Sequence, residues 1–196
     1  MIQNTYKLLL AAFLAAFTFS GTKAQITFTK GYLVNEKGDT LRGEVKMNPK
    51  KEQDYYARVT FKDASGTQKN YKPSKVKAYG FDNEHFVSIV NNDEGLFYKR
   101  LTNGPIVLYK GAFEVVVMNK ATWEFEYFLF KEGDNLAGGK AGKLTDVKGG
   151  KFKKQLQEWM KDGQEHAESY NDSDKKLNVE SAIEVINKYN NWKKNN

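Results

Sequence analysis

Ile26-Thr27-Phe28-Thr29-Lys30-Gly31-Tyr32-Leu33-Val34, then Asn35-Glu36-Lys37-Gly38-Asp39, then Thr40-Leu41-Arg42-Gly43-Glu44-Val45-Lys46-Met47, is the stretch that decides the fold. Apolar side chains recur at every second position. Ile26, Phe28, Tyr32 and Val34 share one face, and Leu41, Val45 and Met47 repeat the pattern after the break. A period of two is the period of a strand. Between the two runs, Gly38 can take positive φ without steric cost and Asp39 can bond its own backbone. The stretch therefore predicts a β-hairpin.

The same period continues for a hundred residues. Tyr55, Ala57, Val59 and Phe61 form the next expected face, and Asp63-Ala64-Ser65-Gly66 turns the chain into Gln68 to Lys72, where Pro73 interrupts pairing. Val76 to Phe81 and His85 to Val90 follow, separated by Asp82-Asn83-Glu84. Asn91-Asn92-Asp93-Glu94-Gly95 leads into Leu96 to Leu101. Asn103-Gly104-Pro105 is the clearest turn, since Asn-Gly suits a type I′ hairpin, although the proline permits a looser connection. Ile106 to Tyr109, Phe113 to Met118 and Trp123 to Phe130 bring the count to about nine or ten short strands. Turns this frequent predict an antiparallel sheet, as a sandwich or a partly open barrel.

Beyond residue 131 the composition changes. Residues 132–150 are rich in Gly and Lys, which predicts a flexible loop. The period then becomes helical. Phe152, Leu156, Trp159 and Met160 fall on one helix face, with a weak continuation through Ala167 and Tyr170 past Gly163. Asn178 is placed to cap a final helix striped by Val179, Ala182, Ile183, Ile186 and Tyr189. Those stripes need an apolar surface, and the simplest is one face of the sheet. The expectation is one α+β domain over residues 25–196: β-rich over 25–131, helical over 151–190, with two or three C-terminal helices packed on the sheet.

Residues 1–24 carry a different signal. Lys7 precedes an apolar run from Leu8 to Phe19, and Thr22 and Ala24 stand at −3 and −1 of a cut before Gln25. This is the pattern of a cleaved secretory signal peptide. The run is too short to span a bilayer, which needs roughly 20 residues, and no later run is long enough. The expected location is the periplasm or the extracellular space. Cleavage leaves 172 residues and lowers the formal charge from +7 to +5 through loss of Lys7 and Lys23. The chain has no cysteine, which excludes disulfides, a lipidated N-terminal cysteine, zinc–thiolate sites and a cysteine nucleophile.

Recognisable catalytic patterns are absent. His85 and His166 are the only histidines, and no H-x-x-x-H, H-E-x-x-H or G-x-S-x-G spacing occurs. Gly138-Gly139-Lys140-Ala141-Gly142-Lys143 fails as a phosphate loop, with Ala137 where glycine is needed and Leu144 where Ser or Thr is needed. Glu124 and Glu126 share a strand face, as two carboxylates of a hydrolase could. Lys140, Lys143, Lys148, Lys151, Lys153 and Lys154 are the densest run of positive charge, and they are the candidate residues for anion contact. The 23 aromatics of residues 25–196 read mostly as core, with Trp123 and Trp192 the ones to check for exposure.

Several of these stretches also carry a resemblance. Gly31-Tyr32-Leu33-Val34, Gly38-Asp39-Thr40-Leu41-Arg42-Gly43, Val59-Thr60-Phe61-Lys62-Asp63, Tyr71-Lys72-Pro73 with Val76, Gly104-Pro105-Ile106-Val107-Leu108-Tyr109 and Tyr189-Asn190 together resemble a group of uncharacterised exported proteins from Gram-negative Bacteroidota. The resemblance implies export and a β-then-α layout, and it carries no catalytic residue. The functional expectation is an envelope-associated binding or scaffold module, without enzymatic activity and without a cofactor. Its partner would be an anionic envelope component or a protein, and not nucleic acid. The alternative is a hydrolase acting on envelope polymers through carboxylates.

Overall fold

The computed structural model describes residues 27–91, 94–131, 145–146, 150–168 and 178–196. Ten strands lie in one sheet: β1 Thr27–Asn35, β2 Thr40–Met47, β3 Val59–Asp63, β4 Gln68–Tyr71, β5 Val76–Phe81, β6 Glu84–Asn91, β7 Glu94–Arg100, β8 Ile106–Val117, β9 Lys120–Lys131 and β10 Thr145–Asp146. Their order is β10-β9-β8-β7-β6-β5-β1-β2-β3-β4, with antiparallel pairing throughout. The sheet is open, with β10 and β4 at its edges. The helices are α1 Asp54–Ala57, α2 Gly150–Trp159, α3 Gln164–Glu168 and α4 Val179–Asn195. The expected α+β class is what the molecule has.

Local chemistry sets the first turns as the sequence predicts. Gly38 sits at φ 99°, and the Asp39 amide donates to Asn35 Oδ1 at 2.9 Å. Asp63 Oδ1 accepts from the amides of Ser65 and Thr67, and Gly66 closes that turn at φ 87°. The type I′ hairpin, however, is not at Asn103-Gly104. It is at Met118-Asn119, where both residues have positive φ (50° and 61°) and Val117 pairs with Lys120. The Asn91–Asn92–Asp93–Glu94 turn closes through an Asn91–Glu94 pair, with its two central residues outside those described. The expected signal peptide over residues 1–24, together with residues 25, 26, 132–144 and Tyr170, also lies outside them.

Three strand-level expectations are corrected. Tyr55 and Ala57 belong to α1 and not to a strand. Tyr56 must turn inward there: it is fully buried among Phe86 and Phe125, while Tyr55 accepts the Asn48 amide at 2.7 Å. In β1 the buried residue is Leu33, so Phe28, Tyr32 and Val34 are on the opposite face. On the Leu33 side, Gly31 lets β1 lie close to β5 and Gly43 lets β2 lie close to β3. A Cβ on Gly31 would lie 2.3 Å from the Gly80 carbonyl oxygen and one on Gly43 2.3 Å from that of Lys62. Finally, Ile106–Tyr109 and Phe113–Val117 belong to one continuous strand, β8, and Met118 to the turn after it.

One face of the sheet bears all the helices. Over β1–β3 and β5–β7 its core is Leu33, Val45, Val59, Phe61, Tyr79, Phe81, Phe86 and Phe97 under Tyr56 of α1. Phe86 is the hub: it stacks on Tyr79 at 4.7 Å and meets the edges of Tyr55 and Tyr56. Over β8 and β9, Ile106, Leu108 and Leu129 pack against Phe152, Leu156, Met160, Ala182, Val185, Ile186 and Tyr189. The two expected helical stripes are thus the ones buried on the sheet, with Val185 added.

Asn190 locks this second layer. Its side chain accepts from the Ile106 amide at 3.0 Å and donates to the Ile106 carbonyl at 2.7 Å and the Asn103 carbonyl at 3.2 Å. It thereby stands in for a strand partner at the start of β8. Gly104, at φ 136°, has no room for a side chain, because a Cβ would sit 2.8 Å from the Asn190 Cβ. Gly104-Pro105 and the distant Tyr189-Asn190 are therefore two halves of one joint.

Candidate functional site

The opposite face divides into two parts. Over β7–β9 it carries Tyr98, Val107, Tyr109, Phe128 and Phe130, all buried. Over β1–β3 it is mostly polar and basic, and β6 adds His85 to it. Alternation along β1 and β2 puts Lys30, Tyr32, Arg42, Glu44 and Lys46 on this side, and β3 adds Lys62. Lys62 answers Glu44 and also lies over the Phe28 ring at 4.7 Å. Lys30, Arg42 and Lys46 have no acidic partner among the described residues.

Register lines up one row across six strands. Arg42 pairs with Tyr32, Tyr32 with Gly80, and Gly80 with His85. One step beyond the Phe86–Lys99 pair sets Arg100 beside His85, and Arg100 pairs with Tyr109. At about 4.8 Å per strand, Arg42 and Arg100 stand roughly 19 Å apart. Gly80 makes the row continuous. The Tyr32 ring crosses β5 over this glycine, where a Cβ would lie 2.5 Å from the ring, and its hydroxyl meets His85 Nδ1 at 3.0 Å. Burial raises the Tyr32 pKa against the pull of Arg100 and Arg42, so the phenol stays protonated near neutrality. Arg100 donates Nη1 to Asn103 Oδ1 at 3.3 Å, and its buried Nε has no hydrogen-bond partner.

At the β2–β3–β4 end lies an open groove of about 540 Å³. Its lining combines three cations, Lys46, Arg58 and Lys69, with amide and hydroxyl groups from Asn48, Thr60, Gln68 and Asn70. Asp54 is its one carboxylate, and Tyr55 forms part of the wall. Thr60 Oγ1 donates to Asn70 Oδ1 at 2.6 Å, which fixes two of the polar groups. The corrected turn at α1 is what brings Asp54, Tyr55 and Arg58 here. Chemically, the groove and the row can hold phosphate, sulfate or carboxylate groups through charge-assisted bonds.

The residues singled out in the sequence fall elsewhere or only partly here. Lys140, Lys143 and Lys148 lie outside the described residues. Lys151, Lys153 and Lys154 are in α2, on the helix-bearing side, with Lys154 exposed. His85 is in the row, whereas His166 neighbours Trp192 near the last helix at 5.8 Å. Glu124 and Glu126 do share the opposite face of β9, away from the groove. Trp123 is exposed, while Trp192 is half-buried against Gly163 and Tyr189. Arg42, Lys46, Arg58, Lys69 and Arg100 were missed because they are isolated in sequence and converge only through strand register. Among the described residues no three His, Asp or Glu side chains gather as a metal site, and no helix is long and apolar enough to cross a membrane. No family model, curated protein or solved structure matches this chain.

Proposed function

We propose that this is an exported, envelope-associated binding module that holds an anionic polymer, such as an acidic glycan, against the basic face of its sheet. The observation that carries the reading is the unanswered charge. Lys30, Arg42 and Lys46 form no ion pair among the described residues on the helix-free face, and Lys46 also reaches a polar groove at the β2–β4 end of the sheet in which three cations meet one acid. Cations left without acids on a solvent-facing sheet cost little in water and attract anions at range. The signal-peptide pattern, and the resemblance to exported Bacteroidota proteins, support export to a compartment that holds anionic polymers. The hydrolase alternative has less support, because the groove contributes only Asp54 and an acid–base pair needs two groups.

Retention on immobilised heparin, and binding to an acidic polysaccharide across a salt series, tests the reading. The triple charge reversal Arg42→Glu, Lys46→Glu and Arg58→Glu should lower the eluting salt concentration and flatten the salt dependence. Reversal of the α2 lysines, Lys153→Glu with Lys154→Glu, should change retention much less. Equal retention of the triple variant and the unchanged chain would end the proposal, and a loss confined to the α2 variant would move the site there.

A further inference from the structure

We infer that the distal end of the β8–β9 hairpin is a tip that inserts into the interfacial layer of an anionic lipid bilayer. Beyond Lys110, β8 has no pairing with β7, and β9 pairs with β10 only at Phe128 and Leu129. Gly111, Ala112 and Phe113 still pack against the sheet, and from Glu114 to Trp123 the hairpin continues as a two-stranded ribbon exposed at Val116, Val117, Met118 and Trp123. A lone ribbon in water is marginal and gains from a medium that takes up its side chains. Met118 is 93 % exposed, Val116 71 % and Val117 51 %. Met118 also occupies a positive-φ turn position that favours Asn, Asp or Gly. An exposed methionine there has neither a local conformational reason nor a packing partner among the described residues.

The occupant follows from how the apolar groups are arranged. Val116 and Val117 point to opposite sides of the ribbon, and both are exposed. A flat protein surface covers one side, whereas immersion covers both. From Val115 to Trp123 the only charge is Lys120, and Glu114 and Glu124 bound the stretch. Lys120 can extend its amine to lipid phosphate while its stem stays with the acyl boundary. Trp123 pairs with Glu114, about 13 Å behind Met118 at 3.3 Å per residue. That places an exposed indole at headgroup depth, where Trp is favoured, and the two acids stop deeper entry. At this depth water still reaches the ribbon's open backbone edges, which the hydrocarbon centre would not allow.

The test uses the full chain with vesicles of phosphatidylcholine, with and without phosphatidylglycerol, and bromine-labelled acyl chains as a fluorescence quencher. The part of the quenching that disappears in Trp123→Phe reports the arm alone, whatever residues 1–24 or the basic face contribute. The expected result is Trp123 quenching that is stronger with phosphatidylglycerol, and a loss of about tenfold or more in vesicle partitioning of the arm for Val116→Asp with Met118→Asp. These substitutions lie on exposed positions and leave the core intact. Two results would overturn the inference: a Trp123 signal unaffected by brominated vesicles, or concentration-dependent self-association abolished by the same substitutions, which would assign the tip to a second copy of the chain.

Discussion

The two faces of this sheet handle charge in opposite ways. On the helix-bearing face the two lysines over the centre are both answered: Lys99 by Glu84, and Lys110 by Glu52 at 2.7 Å. Burial would raise the Glu52 carboxyl, but the Lys110 bond and charge, with the Tyr56 hydroxyl, outweigh it and hold that pKa low. Lys110 also lies over the Phe125 ring at 4.0 Å. On the opposite face Lys62 is answered by Glu44, while Lys30, Arg42 and Lys46 form no ion pair among the described residues. An ion beside a core is costly unless paired, while an ion on an open surface is not. Pairing therefore marks the face that holds the fold, and its absence marks the face available to a ligand.

That contrast is broken most severely by Phe86→Ala. Phe86 is 1 % exposed and joins Tyr55, Tyr56, Tyr79 and Phe81 in one aromatic cluster. Removing a large buried ring costs about 3–5 kcal/mol. Urea unfolding of the variant should show that loss, with anion retention unchanged at low denaturant. A loss below about 1 kcal/mol, the range of surface changes, would mean the cluster is not the core.

Asn190→Ala tests the other half of the same face. It strands the buried Ile106 amide, worth about 1–3 kcal/mol when left unsatisfied, and leaves the Ile106 carbonyl only its longer bond from the Thr102 hydroxyl at 3.2 Å. A loss of about 2–4 kcal/mol is expected, with hydrogen exchange quickening first around Ile106 and α4. Asn190→Asp sharpens the result. It keeps the acceptor for the Ile106 amide and loses the donor to the carbonyls, so it should fall between alanine and the unchanged chain. If Asn190→Ala melts like the unchanged chain, the Gly104–Asn190 joint does not hold the helices.

How much of this was legible depends on distance along the chain. The hairpin turns at Gly38 and Gly66 and the two helical stripes are local patterns, and each appears where its residues place it. The buried side of β1 was not legible. Phe28, Tyr32 and Val34 outweigh Leu33 in the local pattern, yet close approach at Gly31 and Gly43 sets the core on the Leu33 side. Alternation identifies two faces, but only the rest of the sheet decides which is buried. The same step hid the site. Once Tyr32 faces outward, Arg42 and Lys46 share its face, and a charge pattern that looked scattered along the sequence becomes concentrated. The sequence's own choice, a dense lysine run, followed proximity in the chain. The basic face follows register, which brings together residues far apart in the chain, such as Tyr32 and Arg100, 68 positions apart.

The smallest expected effect separates the two faces most cleanly. Tyr32→Phe keeps the ring that lies over Gly80 and removes only the hydroxyl bonded to His85 at 3.0 Å. His85 is exposed, so water can replace the lost bond, and the stability change should stay within about 0.5 kcal/mol. Ligand contact is another matter. The hydroxyl is one of the few neutral groups in a row flanked by Arg42 and Arg100, and it fixes one imidazole nitrogen. Without it His85 is free to rotate, and binding of an acidic polysaccharide at fixed salt should weaken about twofold, near the small end of single hydrogen-bond effects. A stability loss as large as that of Asn190→Ala would instead make Tyr32 a structural tie between β1 and β6. The row would then belong with the packed face, and the argument from unpaired charge would rest on the groove alone.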